Sequence, residues 1–174
     1  MPSRVRGAPG AGVPEGQADE VTVGVSIAVP EPFAGELQRW RELFGDPQAS
    51  AIPPHITIAP PSRLSLAGLA HLQTHLGRAA AARAPFAVGL RGTGTFRPVS
   101  AVVFVAVTEG ADECTALAES VLAEPHLPDP AFPYHPHVTV AHGLAEEELD
   151  EARDKLAAYE ASFLADALWL YEQG

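Results

Sequence analysis

Hydrophobic and polar positions along the chain repeat with a period of either two residues or three to four, which predicts strands alternating with helices. Apolar runs rich in β-branched residues predict strands at 21–30, 55–59, 85–90, 101–107, 137–141 and 163–171. Apolar stripes at helical spacing predict helices at 31–44, 65–82, 111–124 and 145–161. Residues 1–20 are rich in glycine, proline and charge, so we expect a disordered tail there and a single domain over 21–174.

The order of these elements favours an α+β fold. Helices mix with adjacent strand pairs, a pattern typical of helices packed outside a mostly antiparallel sheet. The glycine-rich segment 91–97 follows a strand but runs into another strand. It therefore lacks the helix that a dinucleotide-binding fingerprint requires.

Charge and cysteine content exclude several classes of protein. Eleven Lys and Arg residues face 22 Asp and Glu residues, for a net charge of −11. Binding to extended duplex nucleic acid depends on basic residues that displace counterions, so we expect no such partner. A small or terminal phosphate remains a suitable ligand, since a few local groups can hold one. The single cysteine, Cys114, excludes an internal disulfide and any multi-thiolate metal site within one chain.

The hydropathy pattern gives no sign of a membrane segment. No stretch approaches the ~18–20 apolar residues that a spanning helix needs. Arg4 and Arg6 are followed by glycine, proline and acidic residues rather than by the apolar run of a signal peptide. We therefore expect a cytoplasmic protein with no membrane partner.

An internal repeat is the most informative feature of the sequence. Pro54-His55-Ile56-Thr57-Ile58-Ala59 recurs 82 positions later as Pro136-His137-Val138-Thr139-Val140-Ala141. Side chains of a strand alternate between its two faces, so the histidine and the threonine of each copy share one face. The β-branched residues point the other way, into a core.

The repeated residues suit acid–base chemistry on a phosphate. Histidine has an unperturbed pKa of ~6.5, so two imidazoles brought together supply a base and an acid near neutral pH. The two threonine hydroxyls add neutral hydrogen-bond donors for the non-bridging oxygens of a phosphate. Such an array can activate water and protonate a leaving oxygen without a metal.

The paired H-x-T-x motifs, His55 with Thr57 and His137 with Thr139, resemble those of the two-histidine phosphoesterase superfamily. The resemblance runs from about Val21 to Tyr171. The most similar group is the 2′-5′ RNA ligase-like branch, which includes RNA 2′,3′-cyclic phosphodiesterases. This resemblance implies a bilobal fold with pseudo-two-fold symmetry, in which the two motifs face each other across a central cleft.

The resemblance also implies an activity without metal or cofactor, directed at a 2′,3′-cyclic phosphate or a 2′-5′ phosphodiester. His55 and His137 would be the catalytic acid–base pair, their individual roles unassigned. Thr57 and Thr139 would bind the phosphate. Many relatives carry an arginine shortly after the second motif, where this chain has His142. We expect His142 to contact substrate, and small cyclic nucleotides or RNA ends to fit better than long strands.

Three further residues near the motifs are candidates for substrate binding. Tyr134 and Phe96 could stack on a base, and Arg97 could pair with a phosphate. The alternative for the aromatic residues is packing within their own lobe, and the alternative for Arg97 is a solvated loop charge.

Two other functions remain open from the sequence. His135, His137 and His142 could instead hold a metal in a metal-dependent hydrolase or a cupin-like protein, although this leaves the first motif unexplained. The same fold could also serve a non-catalytic nucleotide- or phosphate-binding protein.

Overall fold

The structure is a computed structural model that describes residues 1–6 and 19–173, with the backbone alone for Val5 and Arg6. The strands are β1 Ser3–Arg6, β2 Glu20–Ala28, β3 His55–Ser65, β4 Phe86–Thr95, β5 Val102–Glu109, β6 His137–His142, β7 Glu160–Ala165 and β8 Leu168–Glu172. The helices are α1 Phe33–Phe44, α2 Leu66–Ala81, α3 Ala111–Leu122 and α4 Glu146–Lys155. None of these helices is long and apolar enough to cross a membrane.

The described strands form one sheet that curls into a half-barrel, in the order β1-β8-β2-β3-β6-β5-β4-β7. The prediction of an α+β fold is therefore confirmed. The two four-stranded halves are joined where β3 pairs with β6, rather than forming separate sheets. The chain passes from one half to the other more than once. After β3 and α2 it enters the second half, where β4 pairs with β5, and at its end β8 returns to the first half and pairs with β2.

Alternation along the strands sends one set of side chains into a core that all four helices share. Val25, Ile56, Val105 and Val138 from the sheet are fully buried in one cluster. Leucines of the helices complete this cluster: Leu37, Leu72, Leu117 and Leu149. The opposite face of the sheet carries His55, Thr57, His137 and Thr139, and we call it the motif face.

Local sequence fixes the end of α1 and the start of α2, on either side of the motif strand β3. Gly45 follows α1 in the left-handed region (φ 76°), and the amides of Gly45 and Asp46 bond back to the carbonyls of Glu42 and Arg41. The Ser65 hydroxyl caps α2 by accepting a hydrogen bond from the Gly68 amide at 3.0 Å. This cap turns the chain directly from β3 into α2.

The N-terminal segment differs from the expectation of a disordered tail. Ser3–Arg6 form β1, which pairs in parallel with β8, and the Pro2 carbonyl accepts a hydrogen bond from the Leu168 amide. The polar composition of this segment gives no indication of a strand, because its backbone forms its hydrogen bonds with β8, which is distant in sequence. Residues 7–18, the rest of the predicted tail apart from Asp19 and Glu20, lie outside the described residues.

Two strands are longer than predicted because each contains a bulge. β3 continues through Pro60 and Pro61, which lie at a register shift where a missing amide hydrogen breaks no ladder bond. β4 continues through the glycine-rich segment as far as Thr95. Gly92 lies at its bulge with φ 71°, a conformation that glycine adopts without strain.

The C-terminal elements also differ from the prediction. The helix predicted over 145–161 ends at Lys155, since Glu160 instead starts β7 and pairs with Arg91 on β4. The strand predicted over 163–171 is two strands, β7 and β8, which lie in opposite halves of the sheet. Pairing with distant strands overrides the local helical and strand preferences in both cases.

Candidate active site

The two motifs meet at the centre of the sheet. Ile56 of β3 pairs with Val138 of the antiparallel β6, which places His55 opposite Thr139 and Thr57 opposite His137. All four side chains are half-buried on the motif face, whereas Ile56 and Val138 are fully buried on the other. Diagonal neighbours in such a ladder lie about 7–8 Å apart, with Cβ atoms somewhat closer, so both imidazoles can contact one bound phosphate.

Each motif contains the same bulge directly after its threonine. Val25 and Ser26 pair with Ala59 and Thr57, so Ile58 is the extra residue on β3. On β6 the extra residue is Val140, since Val103 and Phe104 pair with Ala141 and Thr139. Ile58 with Ala59, and Val140 with Ala141, are all buried. The repeated sequence thus produces a repeated strand geometry, which bends both strands next to the histidines.

Both histidines are held in the same way by the chain that precedes them. His55 Nδ1 lies 2.8 Å from the Pro53 carbonyl oxygen, and His137 Nδ1 lies 2.6 Å from the His135 carbonyl oxygen. A carbonyl oxygen only accepts, so Nδ1 carries the proton and donates it in each case. Nε2 of each neutral imidazole is therefore left as a base, and Nε2–H of each imidazolium is an acid.

The surroundings favour the neutral form of both imidazoles. Burial lowers the pKa of His55 below its usual 6.5, the Pro53 hydrogen bond opposes this, and the positive charge of Arg41 lowers it further. Burial also lowers the pKa of His137, opposed by the His135 hydrogen bond and reinforced by the nearby imidazoles. A pair of bases that lose their protons easily is suited to acid–base work on a bound anion.

Aromatic rings enclose His137. The Phe96 ring stands edge-on to His137, with centroids 4.8 Å apart and an interplanar angle of 88°. Phe104 contacts both His137 and His135, with centroids 5.3 and 5.2 Å apart. Phe96 therefore lies beside His137 and contacts these rings of the second half, and its role in substrate binding stays a prediction.

An aromatic residue also lies beside His55. The Tyr171 ring is 6.3 Å from the His55 ring and lies over Gly24, where an added β-carbon would be 2.5 Å from Tyr171 Cζ. Gly94 accommodates Phe104 in the same manner in the other half, where a β-carbon would be 2.6 Å from Phe104 Cζ. Each half thus pairs a glycine with an aromatic ring next to its histidine.

Arg41 holds the segment that leads into the first motif. Arg41 is 5% exposed, and its guanidinium pairs with Asp46 at 3.3 Å and donates to the carbonyls of Gln48 and Ile52 at 3.0 and 2.6 Å. This network lies immediately before Pro53, the carbonyl partner of His55. Arg41 is a positioning residue, which the sequence analysis did not identify.

Tyr134 links the two motifs. Its hydroxyl donates to the Thr57 carbonyl at 2.8 Å, and burial raises its pKa. The ring packs against the core, which favours a positioning role over the predicted stacking on a base.

The structure separates the remaining predicted substrate-binding residues. The Arg97 guanidinium is paired with the Asp150 carboxylate of α4 at 2.8 Å and also donates to Thr95, so it is not directed to the phosphate, contrary to expectation. His142 is exposed at the end of β6. The bulge at Val140 returns it to the side of Thr139, at the rim of the motif face.

The described residues give the metal alternative no support. His135 and His137 are neighbours, with ring centroids 5.9 Å apart, but His142 lies at the far end of β6. Among the described residues, no group of three or more His, Cys, Asp or Glu side chains is arranged to hold a metal.

The sequence contains a signal for the aromatic residues that the analysis missed. In β5 the valines 103, 105 and 107 face the core, so alternation assigns Phe104 to the motif face. In β8 Leu168 and Leu170 face the core, so alternation assigns Trp169 and Tyr171 to the motif face as well. The prediction of buried strands uses only their core positions and leaves the alternate positions without a role.

Comparison with known proteins finds similar sequences among phosphoesterases. A family model described as the 2′-5′ RNA ligase superfamily matches residues 29–174. A Bacillus pumilus protein named "Putative phosphoesterase" is 33% identical over 103 residues, which are 59% of this chain and 60% of that protein. The chain thus spans less than two thirds of that relative. A second protein of that name, from Halalkalibacterium halodurans, is 26% identical over 76% of this chain and 77% of its own length.

Solved structures share the fold. E. coli LigT, crystallised with 3′-AMP, superposes with a TM-score of 0.69 at 18% identity, covering 90% of each chain. TT0787 of Thermus thermophilus gives a TM-score of 0.55 at 22% identity, covering 86% of this chain and 83% of that one. At these identities the likeness concerns architecture.

Proposed function

The chain belongs to the 2′-5′ RNA ligase superfamily, a family of phosphoesterases, and from that premise we propose that it hydrolyses 2′,3′-cyclic phosphates of nucleotides or RNA ends without a metal. One observation carries the proposal. Two imidazoles on one face of adjacent strands have Nδ1 fixed on a carbonyl oxygen, so both Nε2 atoms are left for chemistry.

The reaction uses these two nitrogens in opposite protonation states. Neutral Nε2 of one histidine accepts a proton from water as the water oxygen forms a bond to phosphorus. Nε2–H of the other histidine donates its proton to the ribose oxygen as the bond from phosphorus to that oxygen breaks. The product is a phosphate monoester beside a free hydroxyl, and the two histidines have exchanged protonation states.

The neighbouring groups support each part of this step. The Thr57 and Thr139 hydroxyls are placed to donate to the non-bridging oxygens, where negative charge develops in the transition state. The rings of Phe96, Phe104 and Tyr171 exclude water from the sides of the imidazoles. Exclusion of water strengthens each hydrogen bond to the phosphate.

The test is hydrolysis of 2′,3′-cyclic AMP in EDTA, with the products followed by phosphorus NMR. His55→Asn and His137→Asn should each lower kcat by about 10²–10⁴-fold while thermal unfolding stays cooperative. His71→Asn is the matched control, because His71 is an exposed histidine of α2, and it should leave kcat unchanged.

Other outcomes would contradict the proposal in distinct ways. Turnover that EDTA abolishes would favour a metal-dependent hydrolase. Tight nucleotide binding without turnover would favour a binding protein. Normal kcat in either motif variant would remove that histidine from the reaction.

A further inference from the structure

A row of side chains crosses the first half of the sheet, starting from the active site. Thr57 of β3 pairs with Ser26 of β2, and Ser26 pairs with Trp169 of β8. Trp169 in turn pairs with Arg4 of β1. The four residues lie on four adjacent strands in one continuous register.

Alternation places this row on the motif face. Ser26 lies between Val25 and Ile27, which are buried in the core, and Trp169 lies between Leu168 and Leu170, which are buried there too. Both residues therefore face the side that carries Thr57. The Arg4 guanidinium carbon lies 5.6 Å from the centroid of the Trp169 ring, so Arg4 extends over that face as well.

The charge of Arg4 is not neutralised by the described part of the chain. Arg63, Arg91 and Arg97 each pair with a carboxylate, whereas no described carboxylate pairs with Arg4, whose side chain is exposed. The indole face holds the guanidinium through a cation–π contact. A positioned cation that no described carboxylate compensates, on a protein of net charge −11, is suited to an anionic ligand.

The segment that carries Arg4 lies outside the range matched by the family model. The match begins at residue 29, and β1 lies well before it. The Met1 amino group donates to the Arg83 carbonyl at 2.9 Å, and the Pro2 carbonyl accepts from the Leu168 amide. These bonds fasten β1 to the edge of the sheet and so fix the position of Arg4.

Arg4 is too far from the reacting phosphate to bind it. Three steps between strands of ~4.8 Å separate the Thr57 and Arg4 backbones by about 14 Å. A cyclic mononucleotide has one phosphate, and that phosphate must lie between the two histidines. Arg4 can therefore serve only a second phosphate, on the next nucleotide of a longer substrate.

We propose that Arg4 and Trp169 form a second subsite, which binds the nucleotide adjacent to the one carrying the cyclic phosphate. The Arg4 guanidinium pairs with the phosphodiester that links the two nucleotides, and Trp169 packs against the adjoining ribose and base. Ser26, whose side chain is small, lies between this subsite and Thr57 in the register of the sheet. The inference rests on the proposed function and makes RNA ends of at least two nucleotides the preferred substrate over cyclic mononucleotides.

The kinetic test compares a cyclic mononucleotide with a dinucleotide that ends in a 2′,3′-cyclic phosphate. Arg4→Ala should lower kcat/KM for the dinucleotide about tenfold and leave the mononucleotide value unchanged, because a charge-assisted contact is lost only for the longer substrate. Arg4→Lys should retain part of the preference. Arg39→Ala, which removes an exposed arginine of α1, should alter neither value.

A binding test separates this subsite from the proposed chemistry. The chain has two tryptophans, so in a Trp40→Phe background the indole fluorescence reports on Trp169 alone. A dinucleotide with a 3′-phosphate should change this fluorescence and bind more tightly than the mononucleotide 3′-phosphate. Adding Arg4→Ala should remove the difference in affinity.

The outcomes distinguish the two ideas. A protein that hydrolyses neither cyclic substrate but binds the dinucleotide preferentially through Arg4 would overturn the reaction and keep the subsite. Equal affinity for both probes, or equal losses for both in Arg4→Ala, would overturn the subsite whether or not hydrolysis occurs. An unchanged melting temperature in Arg4→Ala would show that β1 is retained, and a drop matched by Arg4→Lys would assign Arg4 to structure instead.

Discussion

At the scale of single residues, the two motif histidines are adjusted by burial more than by partner charges. Desolvation is the largest influence on both, and each keeps one hydrogen bond to a backbone carbonyl. The carbonyl fixes the tautomer and the ring orientation, while burial keeps the ring neutral. The carbonyl thus sets the ring orientation, whereas the pKa reflects burial acting against that same hydrogen bond.

The lowered pKa values make folding stability depend on pH. Both imidazoles have a lower pKa in the folded protein than the ~6.5 of the unfolded chain, so below that value the unfolded chain binds more protons. The free energy of unfolding must therefore fall as the pH drops from about 6.5 toward the folded-state values. His137→Asn removes one of these groups and should lose less stability between pH 7 and pH 5, as measured by urea unfolding.

The exposed His142 provides the control for this measurement. His142→Asn removes a histidine of the same strand but leaves both motif imidazoles in place, so its stability should fall with acid as steeply as that of the wild type. Parallel pH curves for His137→Asn and the wild type would show that burial does not disfavour the charged form of His137.

At the scale of elements, the segments before β3 and β6 matter as much as the strands. Each supplies the carbonyl that orients its histidine, and side-chain hydrogen bonds fasten each segment to the protein. Arg41 fastens the first segment through the carbonyls of Gln48 and Ile52, and Tyr134 fastens the second through the carbonyl of Thr57. The symmetry of the motifs does not extend to these anchors.

Removal of Arg41 should destabilise the protein strongly. The Arg41 and Asp46 side chains are 6% and 1% exposed, and loss of one partner leaves a buried carboxylate and two carbonyls without their donor. Arg41→Met should therefore cost about 3–5 kcal/mol of unfolding free energy. The measurement is urea unfolding followed by far-UV circular dichroism.

The exposed pair of Arg91 and Glu160 is the matched control. These side chains are 74% and 64% exposed, so Arg91→Met should cost about 0–1 kcal/mol. Similar losses for the two variants would mean that the Arg41 network contributes no more than a surface pair.

Short-range sequence patterns predicted the motif strands. The features that these patterns did not predict depend on contacts between distant parts of the chain. The repeat predicted that His55 and His137 lie on the strand face opposite the core, because the alternation of side chains is a local property of a strand. The strand at Ser3–Arg6 depends on β8, more than 160 residues along the chain, and polar composition carries no trace of that pairing. Arg97 looked like a phosphate ligand because its partner, Asp150, is brought to it only by the packing of α4.

At the scale of the whole molecule, the proposed phosphate site lies on a protein that is acidic overall. The motif face concentrates neutral donors, two imidazoles and Arg4, whereas the chain as a whole has a net charge of −11. Under the proposed function, short-range contacts attract one or two phosphates, and the long-range field repels additional ones. The two effects differ in range, so salt acts on them differently.

Ionic strength should therefore discriminate between short and long substrates. At ~0.01 M salt the Debye length is about 30 Å, so the acidic surface repels the distant phosphates of a ten-nucleotide RNA, and at ~0.15 M it shrinks to about 8 Å. The value of kcat/KM for the ten-nucleotide RNA should rise about threefold over this range. The value for the dinucleotide should stay level or fall slightly, since its phosphates lie within the local site. A steep fall for the longer RNA would instead indicate several basic contacts along the strand, as in proteins that bind extended nucleic acid by counterion release.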